Sequence, residues 1–263
     1  MKVDTETGIL LREDKDGVCV LTLNRPGARN ALSRGLMAAL HEALNAVHED
    51  SAAHVVIIRG AGPGFCAGHD LKEVRADPTQ SAYQALFAAC SALMLRIQSL
   101  RQPVIAEVHG IATAAGCQLV ATCDLAVADP AARFATPGVN IGLFCSTPMV
   151  AVSRAVGRKA AMRMLLTGDM ISAEAALGYG LVSHVAGEGA LQADTMALAR
   201  QIASKSPLTL AIGKEAFYRQ AEMATAAAYD YASEVMTRNM MARDAEEGID
   251  AFIAKRDPVW EGR

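Results

Sequence analysis

Apolar positions divide the first half of the chain into alternating strands and helices. Four short apolar or alternating runs are typical of strands, at residues 18–24, 54–60, 103–110 and 124–129. Two longer patterns are typical of helices: an apolar face formed by Leu32, Leu36, Leu40, Leu44 and Val47, and residues 80–100. Strands that alternate with helices up to about residue 140 predict an α/β fold with a parallel sheet and crossover helices.

The last third of the chain carries few strand signals and is predicted to be mainly helical. Ser206 followed by Pro207 is typical of a helix N-cap and first turn. Asp244 and Glu247 are spaced as a capping box. Amphipathic helices in this number have to bury their apolar faces against their own core or against a neighbouring subunit.

Composition narrows the class of protein. The chain has 263 residues, is 52% hydrophobic and has a net charge of −3, with Lys and Arg scattered, so we expect a folded protein that does not bind nucleic acid. No apolar run reaches the roughly 20 residues that cross a bilayer, and we expect no membrane association. Acidic residues in the N-terminal stretch MKVDTETGILLRED argue against a targeting signal there. We therefore expect a cytoplasmic protein.

The six cysteines lie singly in apolar segments, without CxxC pairs, which predicts reduced and mostly buried thiols.

Gly60, Gly62 and Gly64 do not fit the dinucleotide-binding spacing, because the third glycine comes one position early. The phosphate-binding loop, the serine nucleophile elbow and the HExxH zinc motif have no match either. We expect neither a cofactor nor a metal.

Two other segments, residues 65–74 and 110–120, each combine small residues with the start of a helix. We call them the hole segments. The first N–H groups of a helix have no partner within it, and small side chains let a ligand oxygen approach them. One N–H from each segment would form an oxyanion hole for an enolate or tetrahedral oxygen. The alternative is that the small residues only allow helices to pack closely on strands.

Four blocks in this order, LNRPGARNAL, GFCAGHDLKEV, HGIATAAGCQLVATCDLAVA and FATPGVNIGL, resemble the crotonase family, the enoyl-CoA hydratase/isomerase superfamily. The resemblance extends from about residue 8 to residue 256. It implies an acyl-CoA thioester as substrate and a ββα spiral core over residues 1–200. It also implies a C-terminal helical trimerisation region, residues 201–263, and assembly as a homotrimer or hexamer.

The resemblance also assigns site residues. The hole amides would belong to His69 and Ala115, and the helix beginning near Gly116 would point its positive end at the thioester oxygen. Contacts to coenzyme A would come from Ala28, Arg29, Ala67, Asp70, Leu71 and Lys72, and from Met236 and Lys255 in the C-terminal helices. For the three cations in this set, the alternative is an ordinary solvated side chain. Phe144, Met149 and Met236 would line an acyl pocket, or belong to the core.

The chain departs from the family pattern at both catalytic carboxylates. A typical hydratase of this family uses two glutamates as acid and base, and those positions hold Gln118 and Gly138 here. A positioned acid or base contributes roughly 10²–10⁴-fold, and neither glutamine nor glycine can supply one. The candidates for a replacement are a water held by Gln118 and the side chains of His69, Asp70, Asp124 and Cys145.

Three functions are compatible with the sequence. The first is an enzyme of the hydratase/isomerase type, a lyase or isomerase that stabilises a thioester enolate, with hydration weak or replaced. The second is a catalytically silent acyl-CoA binder or oligomer partner. The third is a decarboxylase of malonyl-type thioesters, because this reaction depends mainly on enolate stabilisation.

Overall fold

The structure, a computed structural model, describes residues 8–263. Residues 1–7 of the N-terminal stretch lie outside the described residues. The strands are β1 Leu10–Lys15, β2 Val18–Leu23, β3 Val55–Gly60, β4 Val104–Val108, β5 Ile111–Thr113, β6 Leu125–Ala128, β7 Arg133–Ala135, β8 Ile171–Ser172 and β9 His184–Val185. The helices are α1 Arg34–Glu49, α2 Leu71–Ala76, α3 Gln80–Ser99, α4 Ala115–Thr122, α5 Ser146–Ala155, α6 Arg158–Thr167, α7 Ala173–Tyr179, α8 Leu191–Ala203, α9 Pro207–Gln220, α10 Thr225–Met240 and α11 Arg243–Ala254.

The main sheet has six strands in the order β1-β2-β3-β4-β6-β9. All neighbours in it are parallel except β1, which pairs antiparallel with β2. Strands β2 and β4 are buried along their whole length, as expected for a parallel sheet covered on both faces. The predicted parallel sheet with crossover helices is confirmed. Strand β1 was not predicted, because its residues, LLREDK, do not alternate.

Helices α1 and α3 pack against each other over this sheet. Ser33 caps α1 by accepting a hydrogen bond from the Leu36 N–H at 3.1 Å. All five residues of the predicted apolar face are buried. The assignment of Leu32 to the helix is wrong, because Leu32 precedes α1 and forms a β-bridge with His69. Leu32 therefore belongs to the site region and not to the helical face.

A second sheet of three short strands, β5-β7-β8, lies next to the first. An isolated parallel bridge between Cys66 and Ala112 connects the first hole segment to β5. The segment between β3 and α2 thereby runs alongside the strand that precedes α4. This pairing brings the two hole segments together.

The C-terminal part is helical, as predicted. Ser206 caps α9 by accepting from the Thr209 N–H at 3.1 Å, and Pro207 is its first residue, which confirms that prediction. The predicted capping box is wrong, because α11 begins at Arg243 and its N-cap is Ala242. The carboxylates of Asp244 and Glu247 instead accept hydrogen bonds from the segment that follows α11. Asp244 accepts from the Glu261 N–H, and Glu247 accepts from the Arg256 guanidinium and the Val259 N–H.

All six cysteines are free and buried, as predicted. Within residues 8–263, no helix combines the length and the apolar character needed to cross a bilayer. The same part of the chain contains no group of three or more His, Cys, Asp or Glu side chains able to hold a metal ion.

Candidate active site

The two hole segments lie in direct contact. The Cys66 N–H donates to the Ile111 carbonyl at 3.1 Å, and the Thr113 N–H donates to the Cys66 carbonyl at 3.0 Å. A Cβ placed on Gly68 would lie 3.3 Å from the amide nitrogen of Ala115, so only glycine leaves this contact relaxed. Gly68 also has a φ of +95°, which side-chain-bearing residues rarely adopt. The residue before His69 is therefore held against the start of α4.

The main-chain N–H groups of His69 and Ala115 are both free. In the bridge between Leu32 and His69, the Leu32 N–H donates to the Gly68 carbonyl and the Leu32 carbonyl accepts from the Asp70 N–H. The His69 N–H therefore points away from Leu32. Ala115 is the first residue of α4, where the N–H has no intrahelical partner. Neither N–H donates a hydrogen bond to any group in residues 8–263. Two unpaired donors thus lie in adjoining segments.

The start of α4 is strained and tightly packed. Ala114, its N-cap, has φ 51° and ψ −118°, a conformation that costs an alanine on the order of 1–3 kcal/mol. A Cβ on Gly116 would overlap the carbonyl of Cys66. The partial positive charge of the helix N-terminus is directed to the same side as the free Ala115 N–H. The packing holds this strained start of the helix in place.

The loop before α1 braces the first hole segment. Arg25 forms an ion pair with Asp70 at 2.9 Å and donates to the Ala31 carbonyl at 2.6 Å. The pKa of Asp70 is lowered, chiefly by the Arg25 hydrogen bond. Asn30, fully buried, donates from its side chain to the carbonyls of Ala61 and Gly64 at 2.9 and 2.8 Å. Arg25 and Asn30 were not predicted as functional supports; their signal was the RPGARN turn itself.

Six of the eight expected coenzyme A contacts lie in these braced loops. The Ala67 N–H donates to the Arg29 carbonyl at 3.0 Å, which joins the Ala28–Arg29 turn to the first hole segment. The side chains of Arg29, Leu71 and Lys72 are accessible to solvent. These residues therefore border one stretch of accessible surface beside the hole segments.

The other two expected contacts lie on the C-terminal helices. Met236, in α10, is 59% exposed, and Lys255 is exposed in the left-handed turn that ends α11. Within residues 8–263, the side chain of Lys255 makes no hydrogen bond or ion pair. Their assignment as coenzyme A contacts stays a prediction.

Gln118, which the resemblance places at the first carboxylate position, lies inside the protein. It is 4% exposed and lies three residues after Ala115, on the same face of α4. Its Oε1 accepts a hydrogen bond from the Sγ of Cys90, in α3, at 3.8 Å. Its Nε2 donates to no group in residues 8–263. Cys90 was not predicted either, since only the tertiary packing of α3 on α4 reveals it.

Gly138, which the resemblance places at the second carboxylate position, has no room for a side chain. A Cβ there would lie 2.6 Å from the Leu143 carbonyl oxygen and 2.8 Å from the Cys145 Sγ. The Leu143 N–H donates back to the Gly138 carbonyl at 2.9 Å, which closes the loop over this residue. The backbone as well as the side chain therefore differs from what a second glutamate needs.

The candidate replacement acids and bases differ in availability. Asp70 is paired with Arg25, and Asp124 is paired with Lys214 at 2.6 Å, so both have partners. Burial raises the pKa of the Cys145 thiol. Burial lowers the pKa of the His69 imidazole. The His69 ring contacts Phe87 edge-on at 5.9 Å, and neither of its buried nitrogens has a partner in residues 8–263.

A cavity of about 1000 Å³ lies elsewhere, between α4, α5 and α9. Its wall contains Asp124 and Tyr218, whose hydroxyl donates to Asp124 at 2.9 Å. His69, Ala115, Gln118 and Gly138 do not line it. Because Asp124 and Tyr218 are paired with each other and the hole amides are free, we place the candidate active site at the hole segments.

Comparison with known proteins identifies the class. The Enoyl-CoA hydratase/isomerase family matches residues 13–263, and the chain belongs to this family. A zebrafish relative, enoyl-CoA hydratase domain-containing protein 3, mitochondrial, is 46% identical over 261 residues, covering 99% of this chain and 90% of the relative. The resemblance proposed from the four sequence blocks is confirmed.

Two solved structures are similar over nearly their whole length. An enoyl-CoA hydratase from Mycobacterium smegmatis has a TM-score of 0.94 and 53% identity, covering 96% of this chain and 99% of that one. Human enoyl coenzyme A hydratase domain-containing protein 3 has a TM-score of 0.92 and 46% identity, covering 95% and 99%. The predicted α/β fold, a crotonase-like ββα spiral core with a C-terminal helical region, is confirmed.

The predicted cytoplasmic location is wrong. The zebrafish relative, like those from mouse and human, is named as mitochondrial, which conflicts with that prediction. The prediction depended on acidic residues near the N-terminus. Such residues bear only on a signal within that short stretch and do not determine the compartment.

Proposed function

We propose that this chain is an acyl-CoA enzyme that polarises a thioester carbonyl between the main-chain N–H groups of His69 and Ala115. The observation that carries the proposal is the pair of free donors in two segments that touch at Gly68. In comparable sites, one such donor is worth about 2.7–4 kcal/mol of transition-state stabilisation. The positive end of α4 adds to the same effect.

Coenzyme A would lie along the braced loops. The chain offers Ala28, Ala67 and Leu71 as small or apolar contacts, and Arg29 and Lys72 as accessible cations for phosphate groups. Gly116 supports the site by close packing, since the absence of a side chain lets the Cys66 carbonyl of the first hole segment lie against the start of α4. Met236 and Lys255 complete the contacts if a neighbouring subunit presents its C-terminal helices.

The chemistry that fits this site is enolate stabilisation without a pair of glutamates. Gln118 cannot transfer a proton at neutral pH, and the loop over Gly138 leaves no space for a carboxylate. Efficient hydration by the two-carboxylate route is therefore not expected. Decarboxylation of a malonyl-type thioester is the favoured reaction: the electrons of the breaking C–C bond pass into the enolate, CO₂ leaves, and solvent supplies the proton.

The first experiment tests the oxyanion hole by calorimetry. Butyryl-CoA carries the thioester carbonyl, whereas S-butyl-CoA, a thioether of the same length, lacks it. We expect butyryl-CoA to bind at least tenfold more tightly, since the two free amides gain a partner only with the carbonyl. Equal affinities, or no binding of either compound, would contradict the proposal.

The second experiment tests turnover. Crotonyl-CoA, a β,γ-enoyl-CoA and methylmalonyl-CoA represent hydration, isomerisation and decarboxylation. We expect methylmalonyl-CoA to be turned over fastest. Binding of all three without turnover would indicate the other function, a catalytically silent acyl-CoA binder that acts as an oligomer partner.

We also propose that residues 201–263 form an oligomerisation region on a core of residues 1–200. Phe252 and Ile253, in α11, are 86% and 73% exposed in the single chain, and apolar side chains grouped in this way mark an interaction surface. A homotrimer or hexamer would bury them. Light scattering coupled to size exclusion should give three or six times the mass of one chain; a monomer would contradict this proposal.

A further inference from the structure

The side-chain amide of Gln118 is divided into a satisfied half and a free half. Its Oε1 accepts from the Cys90 thiol, while its Nε2 has no partner in residues 8–263. The residue as a whole is 4% exposed, but its Nε2 is not among the fully buried polar atoms without a partner, so this atom faces accessible space. A ligand that supplies an acceptor there would give the Nε2 a direct partner.

Cys90 determines which half is free. Burial raises the pKa of the Cys90 thiol to about 11, so the thiol keeps its proton and can donate at neutral pH. A donated S–H requires the carbonyl oxygen of the amide as its acceptor. The amide is thereby oriented with its Nε2 away from α3.

Gln118 lies on the same face of α4 as the free Ala115 N–H, because the two residues are three positions apart in the helix. Side chains of a helix lean toward its N-terminus, so the Gln118 amide lies over the first turn of α4, where Ala115 presents its free N–H. Two residues of α3 face these groups. Cys90 contacts Gln118, and Phe87, which lies three residues before Cys90, contacts the His69 ring. One face of α3 therefore borders this space from His69 to Gln118.

We infer that Gln118 is a specificity residue whose Nε2 donates to an oxygen on the third carbon of the acyl group. The site would select thioesters that carry such an oxygen, a 3-oxoacyl or a malonyl-type thioester, over a plain alkanoyl thioester. A glutamate in its place would present an acceptor and could not donate to this oxygen. Cys90 is the positioning residue for the Gln118 amide. The inference rests on the proposed function, since it requires the thioester to lie in the hole.

Calorimetric titrations with acetoacetyl-CoA, malonyl-CoA and butyryl-CoA test the inference. They also distinguish the two groups that could carry the oxygen, the 3-oxo group of acetoacetyl-CoA and the carboxylate of malonyl-CoA. We expect the wild-type protein to bind at least one of the first two about tenfold more tightly than butyryl-CoA. Gln118→Met, which keeps the volume and removes the donor, should abolish that preference, so that the ratio of the affinities for these thioesters falls to about one.

The Cys90 variants test the positioning role. Cys90→Ala should reduce the preference about threefold, because the amide can then turn, and Cys90→Ser, which keeps a donor, should retain it. Thermal unfolding of each variant checks that it folds. For each variant, the affinity for acetoacetyl-CoA or malonyl-CoA is divided by the affinity for butyryl-CoA. A general loss of fold would weaken all of these ligands and leave this ratio unchanged.

The outcomes separate this inference from the proposed function. If butyryl-CoA binds and the β-oxygen brings no gain, the inference is overturned and the hole proposal stands. If Gln118→Met weakens all three ligands equally, Gln118 only supports the fold, and the inference is again overturned. If butyryl-CoA itself does not bind, the proposed function fails.

Discussion

The candidate site has two halves that differ in how their groups are supplied. In one half, main-chain N–H groups of His69 and Ala115 lie in segments fixed by strand bridges and by the glycine contact at position 68. In the other half, the positions that the resemblance assigns to the acid and the base hold Gln118 and Gly138, and the loop from 138 to 143 closes over Gly138.

The difference shows which parts of an active site a fold preserves. The backbone donors exist because two chain segments pair and a helix starts, so they persist as long as the fold does. Side-chain acids and bases depend on single residues, and nothing in the packing requires them. We therefore propose that this family fold keeps its carbonyl-binding half while its proton-transfer half changes, which would alter the reaction and retain the class of ligand.

The largest expected effect comes from breaking the backbone half at Gly68. Gly68→Val should eliminate the preference for butyryl-CoA over S-butyl-CoA and lower the free energy of unfolding by about 3 kcal/mol, because φ is positive and the side chain would press on Ala115. Gly178→Ala is the control, since Gly178 lies in α7 with no atom near its missing Cβ. Retention of the preference in Gly68→Val would contradict the assigned hole.

A smaller effect is expected from attempting to rebuild the side-chain half. Gly138→Glu, alone or with Gln118→Glu, should not raise hydration of crotonyl-CoA, and it should lower the free energy of unfolding by about 2 kcal/mol, because the Leu143 carbonyl lies too close. Activity is measured by loss of the enoyl absorbance. A tenfold gain in hydration would show instead that the loop over position 138 opens easily and leaves room for a carboxylate.

Relief of strain at the start of α4 should act in the opposite direction. Ala114→Gly is expected to raise the free energy of unfolding by about 1 kcal/mol, since glycine accepts the positive φ of 51° without steric cost. Urea unfolding measures the change. Ala175→Gly, within helix α7, is the matched control and should be destabilising by about 1 kcal/mol. Equal destabilisation in both would mean that Ala114 is not strained.

The smallest effect is expected in the pH dependence. Burial lowers the pKa of His69 below its ordinary 6.5, so below pH 6.5 the unfolded chain takes up a proton that the folded chain resists. The contribution of His69 to stability should therefore decline as the pH falls from 6.5. His69→Phe should lose less stability than the wild type between pH 7 and pH 5 in urea unfolding. Identical losses would place the His69 ring in contact with solvent.

Much of the fold was predictable because its central elements are long and apolar. Strands β2 to β4 and helices α1 and α3 follow from hydrophobic patterns alone. Strands β5 and β7, of three residues each, have no such pattern, because their existence depends on pairing with each other. The error at Leu32 has the same origin, since its bridge to His69 is a tertiary contact that periodicity cannot show.

For the site, the resemblance predicted where the amides and the replaced glutamates lie, and the structure supplied what surrounds them. Asn30 in its left-handed turn and Cys90 against Gln118 act through residues distant in sequence, so their roles could not be read from local patterns. The crowding at Gly138 depends on the path of the chain at Leu143. A glycine in the sequence shows a missing side chain, but not whether space remains for one.

The most direct test of the two-amide oxyanion hole is a crystal structure with butyryl-CoA, which has no leaving group or double bond to react. We predict that its thioester oxygen lies within about 3.2 Å of the amide nitrogens of both His69 and Ala115. An acyl group bound instead in the cavity beside Asp124 and Tyr218, or an oxygen beyond hydrogen-bond distance from either amide, would contradict it.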